Sequence, residues 1–381
     1  MAIYLDNAAT SFPKPEAVYR AVDQALRHAG GNPGRGGHGL TLEAGRIVLD
    51  ARESAARFFG VRNSERVVFT PSATEAVNLA LFGLLTAGDR VLTSSIEHNA
   101  VRRPLYRLQQ LGIEVVSLAC DPDGRLDLDD LEQQASRGAR LLAISHCSNV
   151  TGTLQPLVEI ATVCRRFGVR LLVDAAQSAG HVGIDVGALG IDLLAVPGHK
   201  GLLGPAGTGL LCVAEDIRLE PLVYGGTGVN STSLDMPDRL PERFEAGTPN
   251  VPGLAGLQAG IAWLEESGSD MIAARVDALT DRLRRGLEVV DRVKLFGPGA
   301  DKVRGSVVSF VIEGQDPSVT AFHLDREYGI CARAGLHCAP EAHRTIGTFP
   351  EGTVRFSPGP FTTETEVDQA VEAVSELARR A

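Results

Sequence analysis

Aromatic residues are scarce in this chain: one Trp, 5 Tyr and 13 Phe amount to 5% of its 381 residues. With 42 glycines beside them, the composition favours tight turns and close backbone approaches over an aromatic binding platform. Long hydrophobic runs are missing as well. No uninterrupted apolar stretch approaches the roughly 20 residues that cross a bilayer. The opening MAIYLDNAATSFPKP has no basic segment followed by an apolar one, so no secretory signal is expected. Nor is there an excess of positive charge. A formal net charge of −10 supplies no field to offset phosphate repulsion, which argues against nucleic-acid and anionic-membrane partners. Basic runs such as RLRRGL at 282–287 fall in a helical pattern and read as a solvated face. CxxC spacing is absent from the six cysteines, at 120, 147, 164, 212, 331 and 338. In a chain this size they read as reduced thiols of a cytoplasmic protein.

Apolar residues at 44% and charged ones at 22% provide ample core for a globular protein. The length exceeds one ordinary core, so two lobes are expected. Helical patterns at 15–29, 41–60, 74–85 and 157–168 accompany short apolar runs at 66–70, 90–94, 113–119, 139–146, 169–174, 192–197 and 208–213. Such runs predict buried strands of a mainly parallel sheet, whose ligands bind beyond the carboxyl ends of the strands. Residues 225–253, rich in Gly, Pro, Ser and Thr, predict a long excursion over the site and then a lobe boundary. Helices at 254–267, 270–290 and 318–328 follow, with strands at 306–312, 330–333 and 353–357. A last helix opens with Thr363 and Glu366 in capping-box spacing. These make an α+β C-terminal lobe.

Two strand ends carry the chemistry. Asp174 closes the run LLVD, and Lys200 follows LLAV within the glycine-rich PGHKGLLGP. An amine with open approach and a carboxylate able to keep a heteroaromatic nitrogen protonated suit pyridoxal phosphate (PLP); a buried ion pair or two solvated loop ends are the plain alternatives. Ser72, Ala73 and Thr74 start a helix after a strand, either as a phosphate seat or as an ordinary cap. His98 in IEHNA is placed to stack on a pyridine ring, or is simply a satisfied histidine. Asn149 and Gln177 suit a ring hydroxyl or a capped turn, and His199 suits a phosphate or a structural role. GGNPGRGGHG lacks GxGxxG; its Asn32 and Arg35 reach for substrate or merely form a turn. In RAGLHCAP, Cys338 lies beside His337 and near Arg333, which makes it the best nucleophile among the six thiols. His337, Cys338 and His343 fall short of a metal site by one ligand. Arg355 is suited to forking onto a carboxylate, with Arg333 its rival.

In order and spacing, YLDNAAT (4–10), TEAVN (74–78), EHN (97–99), SNVTG (148–152), VDAAQ (173–177), GHK (198–200), FEAGTPN (244–250) and RAGLHCAP (333–340) resemble the cysteine desulfurases of the class V aminotransferase family over nearly the whole chain. The resemblance implies the fold type I of PLP-dependent transferases: an α/β large domain (16–252) with a mainly parallel seven-stranded sheet, and a smaller α+β domain (1–15 and 253–381). It implies pyridoxal 5'-phosphate held by Lys200 as the Schiff-base lysine, with Asp174 on the ring nitrogen and His98 stacked on the ring. Ala73, Thr74 and His199 would hold the phosphate, and Asn149 and Gln177 the ring oxygen. Thr248 would reach the neighbouring subunit's phosphate in a homodimer with shared sites. Arg355 would take the carboxylate of L-cysteine. Cys338 would accept sulfur as a persulfide for a sulfur-acceptor protein, with clusters, thionucleosides and cofactors as alternative destinations. Selenocysteine lyase and a class V aminotransferase without sulfur chemistry are the alternatives. One departure stands out: Pro197 occupies a position usually held by a phosphate-donating Ser or Thr, and proline donates nothing.

Overall fold

The computed structural model describes residues 2–34, 36–299 and 302–381. The chain starts with a two-residue strand β1 (Ile3–Tyr4) and helices α1 (Glu16–His28) and α2 (Gly39–Phe58). Strand and helix then alternate: β2 (Val67–Thr70), α3 (Ala73–Leu84), β3 (Arg90–Ser94), α4 (Asn99–Gln109), β4 (Glu114–Leu118), α5 (Leu128–Ser136), β5 (Leu141–Ser145), α6 (Leu157–Phe167), β6 (Arg170–Asp174), α7 (Val186–Leu189), β7 (Leu193–Pro197) and β8 (Gly209–Val213). After a long irregular stretch come α8 (Val251–Ser267), α9 (Ser269–Glu288), β9 (Val293–Phe296), β10 (Val308–Ile312), α10 (Pro317–Tyr328), β11 (Ile330–Cys331), β12 (Arg333–Gly335), α11 (Pro340–Thr345), β13 (Thr353–Phe356) and α12 (Glu364–Arg380).

The seven-stranded sheet has the order β2-β8-β7-β6-β5-β3-β4. Five of its strands, from β7 across to β4, run parallel, and β8 is antiparallel to both its neighbours. Every residue of LLAIS, LLAVP and GLLCV is buried, as expected where helices cover both faces. One apolar cluster beneath the sheet includes Phe59, Leu92, Ile144, Val173 and Leu257; the other, above it, includes Val77, Leu81, Leu105 and Leu172.

A second, antiparallel sheet, β12-β13-β10-β9, packs with α9 and α12 around Phe310, Phe356, Leu283 and Val374. In α12 Thr363 and Glu366 do form the capping box. The run at 330–333 divides into two strands rather than one, because β11 pairs with β1 while β12 turns to β13. The line at 252 falls inside α8, whose Leu254, Leu257, Ile261 and Leu264 belong to the large sheet's cluster.

Candidate active site

Four parallel strands deliver their carboxyl ends to one place. Asp174 ends β6, Lys200 lies three residues beyond β7, Asn149 four beyond β5 and His98 four beyond β3. With Ser72, Ala73 and Thr74 at the start of α3, and with Gln177, His199 and Pro197, they line a single cavity. Gly209 on β8 allows α3 to begin there: a Cβ on it would stand 3.0 Å from Ser72 Cα.

Asp174 is buried at 4% exposure, and its Oδ1 accepts from the Ala176 N–H at 2.9 Å. Burial pushes its pKa up, opposed by that N–H and by the charge of Lys200. Burial lowers the Lys200 amine to about 8, with Asp174 resisting and Arg355 and Arg333 assisting. A useful fraction of it is therefore unprotonated near neutral pH, as a nucleophilic amine requires. His98 caps α4, and its Nδ1 accepts from the Ala100 N–H at 3.0 Å, so the ring proton sits on Nε2. Burial, then Lys200, pushes its pKa to about 4: the ring is neutral. His199 is likewise lowered to about 4 by burial, and its Nδ1 meets Thr10 Oγ1 at 3.1 Å. Ser72 Oγ is an ordinary cap, accepting from the Glu75 N–H at 3.2 Å, and Thr74 lines the cavity. Gln177 donates to the Ala8 carbonyl at 2.9 Å, so the N-terminal segment closes one side.

The Cys338 loop is tied to the rim of this cavity. The Asn149 amide donates to the His337 carbonyl at 2.6 Å, and the Asn99 N–H donates to the Cys338 carbonyl at 2.8 Å. His337 and Cys338 adopt left-handed backbone, φ 48° and 58°, and Cys338 is exposed. His337 and His343 are buried 5.5 Å apart, each ring bonded to a threonine hydroxyl, Thr353 and Thr348 respectively. These bonds anchor the loop. Cys147, Cys164 and Cys212, by contrast, are buried thiols that burial pushes up to about 12.

Arg355, on β13, is 2% exposed. Its Nη1 donates to the Asn149 carbonyl at 3.0 Å and its Nη2 to Asp6 Oδ1 at 3.0 Å. Arg333, half exposed on β12, donates to Asp6 Oδ2 at 3.2 Å. Thr248 lies elsewhere: it meets Asn32 Nδ2 at 3.5 Å and lines a different cavity from Lys200. Arg35 lies outside the described residues.

Sequence reasoning assigned no role to Asp6 or Glu97. Asp6 follows a strand too short to show periodicity. Glu97 is 0% exposed; its carboxylate accepts from Ser94 Oγ, from Ser145 Oγ at 2.6 Å and from the Ser145 N–H at 2.9 Å. Only its place in IEHNA, next to His98, marks it.

The donor set fits pyridoxal phosphate: an amine of lowered basicity, a buried carboxylate, a neutral imidazole and a helix N-terminus with a hydroxyl. The class-V aminotransferase family model matches residues 3–370. A probable cysteine desulfurase of Methanothermobacter thermautotrophicus is 37% identical over 99% of this chain and 94% of its own. The cysteine desulfurase of Thermococcus onnurineus superposes with a TM-score of 0.94 at 36% identity, covering 100% of this chain and 95% of that one. CsdA, a cysteine desulfurase of Escherichia coli, gives 0.89 at 32% identity, again over 100% and 95%. The chain therefore belongs to the class V aminotransferases, among their PLP-dependent cysteine desulfurases.

Proposed function

We propose that this enzyme takes sulfur from L-cysteine onto Cys338, leaving L-alanine and a persulfide. The observation that carries the assignment is the pair of bonds from Asn149 and the Asn99 N–H to the carbonyls of residues 337 and 338. They join the exposed thiol's loop to residues around the Lys200 cavity. Bound to Lys200, pyridoxal phosphate supplies an electron-withdrawing ring that acidifies the substrate's Cα. Asp174 would hold the ring nitrogen's proton, and His98 would pack on the ring. Thr74, the first N–H groups of α3 and His199 would take the phosphate; Asn149 and Gln177 would hold the ring oxygen. Arg355 receives the substrate carboxylate and Lys200 moves the Cα proton. The Cys338 thiolate attacks the substrate's sulfur, the carbon–sulfur bond breaks with its electron pair left on carbon, and a proton completes the methyl group of alanine. Cysteine plus thiol thus becomes alanine plus persulfide, with atoms balanced.

We infer a homodimer in which Thr248 and Asn32 serve the partner's site, since within one chain they stand apart from Lys200. Exposed Tyr19, Leu26, Leu40, Leu42 and Leu49 on α1 and α2 favour a covered face there. A sulfur-acceptor protein and a cytoplasmic setting complete the reading; among the described residues no helix is long and apolar enough to cross a membrane.

Mass spectrometry after treatment with L-cysteine tests the assignment: the Cys338 peptide should gain one sulfur atom. Cys338→Ala should keep the cofactor's visible absorbance and lose sulfide release. Undiminished release from that variant removes Cys338 from the role.

A further inference from the structure

Arg333 and Arg355 are direct partners across the β12–β13 ladder, a pairing that sets like charges at their closest. Asp6 answers both guanidinium groups, one carboxylate oxygen to each. Its backbone is pinned against β13: Asp6 forms a bridge with Ser357, the Ser357 N–H donates to the Leu5 carbonyl at 2.7 Å, and the Asn7 N–H donates to the Ser357 carbonyl at 3.2 Å. Two guanidinium charges less one carboxylate leave a single positive charge beside Lys200. Arg355 Nε is buried with no hydrogen-bond partner among the described residues, which leaves one of the guanidinium's donors unspent. Arg333 is 47% exposed and its charge is engaged by Asp6.

We propose that Asp6 is a positioning residue that sets how much negative charge the substrate pocket accepts. Resting on the reading of Arg355 as the carboxylate receiver, the inference adds that Asp6 withholds Arg333 from the substrate's side chain. The pocket then favours amino acids with an uncharged side chain, cysteine among them, over those with an acidic one.

The probes are propionate and succinate, a monoanion and a dianion, measured on the cofactor-loaded protein. Inhibition constants against L-cysteine turnover and calorimetric dissociation constants are both read. Wild type should bind succinate no more tightly than propionate. Asp6→Asn should shift the succinate-to-propionate preference about tenfold towards succinate, and adding Arg333→Gln should cancel that gain. An unchanged preference in Asp6→Asn overturns the proposal. Should Asp6→Asn fail to fold, Arg333→Gln alone decides. Asp6 then balances Arg355, and propionate binding should weaken about tenfold; unchanged binding overturns the proposal equally. A wild type that makes no alanine from cysteine would instead defeat the desulfurase reading, while calorimetry still judges the charge balance.

Discussion

Glu97 holds a carboxyl group where water does not reach. Burial raises it from 4.5 to about 7, against the hydrogen bonds from Ser145 and Ser94, and the charge of Asp174 pushes the same way. The folded protein therefore keeps this proton between pH 4.5 and 7 while the unfolded chain releases it. More protons bound in the folded state means that this group's contribution to stability falls as pH rises through that window and is level above it. Glu97→Gln cannot ionise, so its melting temperature relative to wild type should climb from pH 5 to pH 7 and then hold. A difference that stays constant across the range would show that Glu97 does not titrate there. At this scale the sequence was readable wherever a residue sat at the end of an apolar run, as Asp174 and Lys200 do. Glu97 and Asp6 were not readable, because Ser145 in the one case and Arg333 and Arg355 in the other lie on strands far away in the chain.

Helix α8 packs against the turn that carries Lys200. Its Gly260 faces the turn after Lys200, where an added Cβ would meet the Leu202 carbonyl oxygen and stand 3.1 Å from the Gly204 N. Gly260→Ala should cost about 1–3 kcal/mol of stability and weaken cofactor retention by displacing the lysine's turn. Thermal melting and absorbance after dialysis check the two effects. We place the seam between lobes at Gly268, after α8, since α8 packs with the large sheet while α9 joins the cluster of Leu283 and Phe310. The seven main strands lie where their apolar runs predict. Helix α4 was harder to see: Pro104 and three arginines interrupt a face that nonetheless buries Val101, Leu105 and Leu108. Strands β1 and β12, of two and three residues, are defined by their partners and not by any period of their own.

At the scale of the whole molecule, the N-terminal segment runs from the small sheet to the lysine. Asp6 meets Arg355, Thr10 meets His199, and Ser11 Oγ donates to the Lys200 carbonyl at 2.9 Å. Chain ends distant in sequence build one site, an arrangement that local pattern cannot disclose. If Thr248 serves a second subunit, Thr248→Ala should lower cofactor affinity, and dilution should release both subunits and cofactor together. Sedimentation and absorbance across a concentration series check this; cofactor held equally well by single chains would refute the shared site. The twin left-handed residues at 337 and 338 have a consequence for traffic. With the carbonyls of residues 337 and 338 hydrogen-bonded and Cys338 itself exposed, the loop is tethered to the site yet open to solvent. If Cys338 carries the persulfide, a recipient thiol can collect the outer sulfur by direct exchange at the surface, and peroxide can spoil it at the same address.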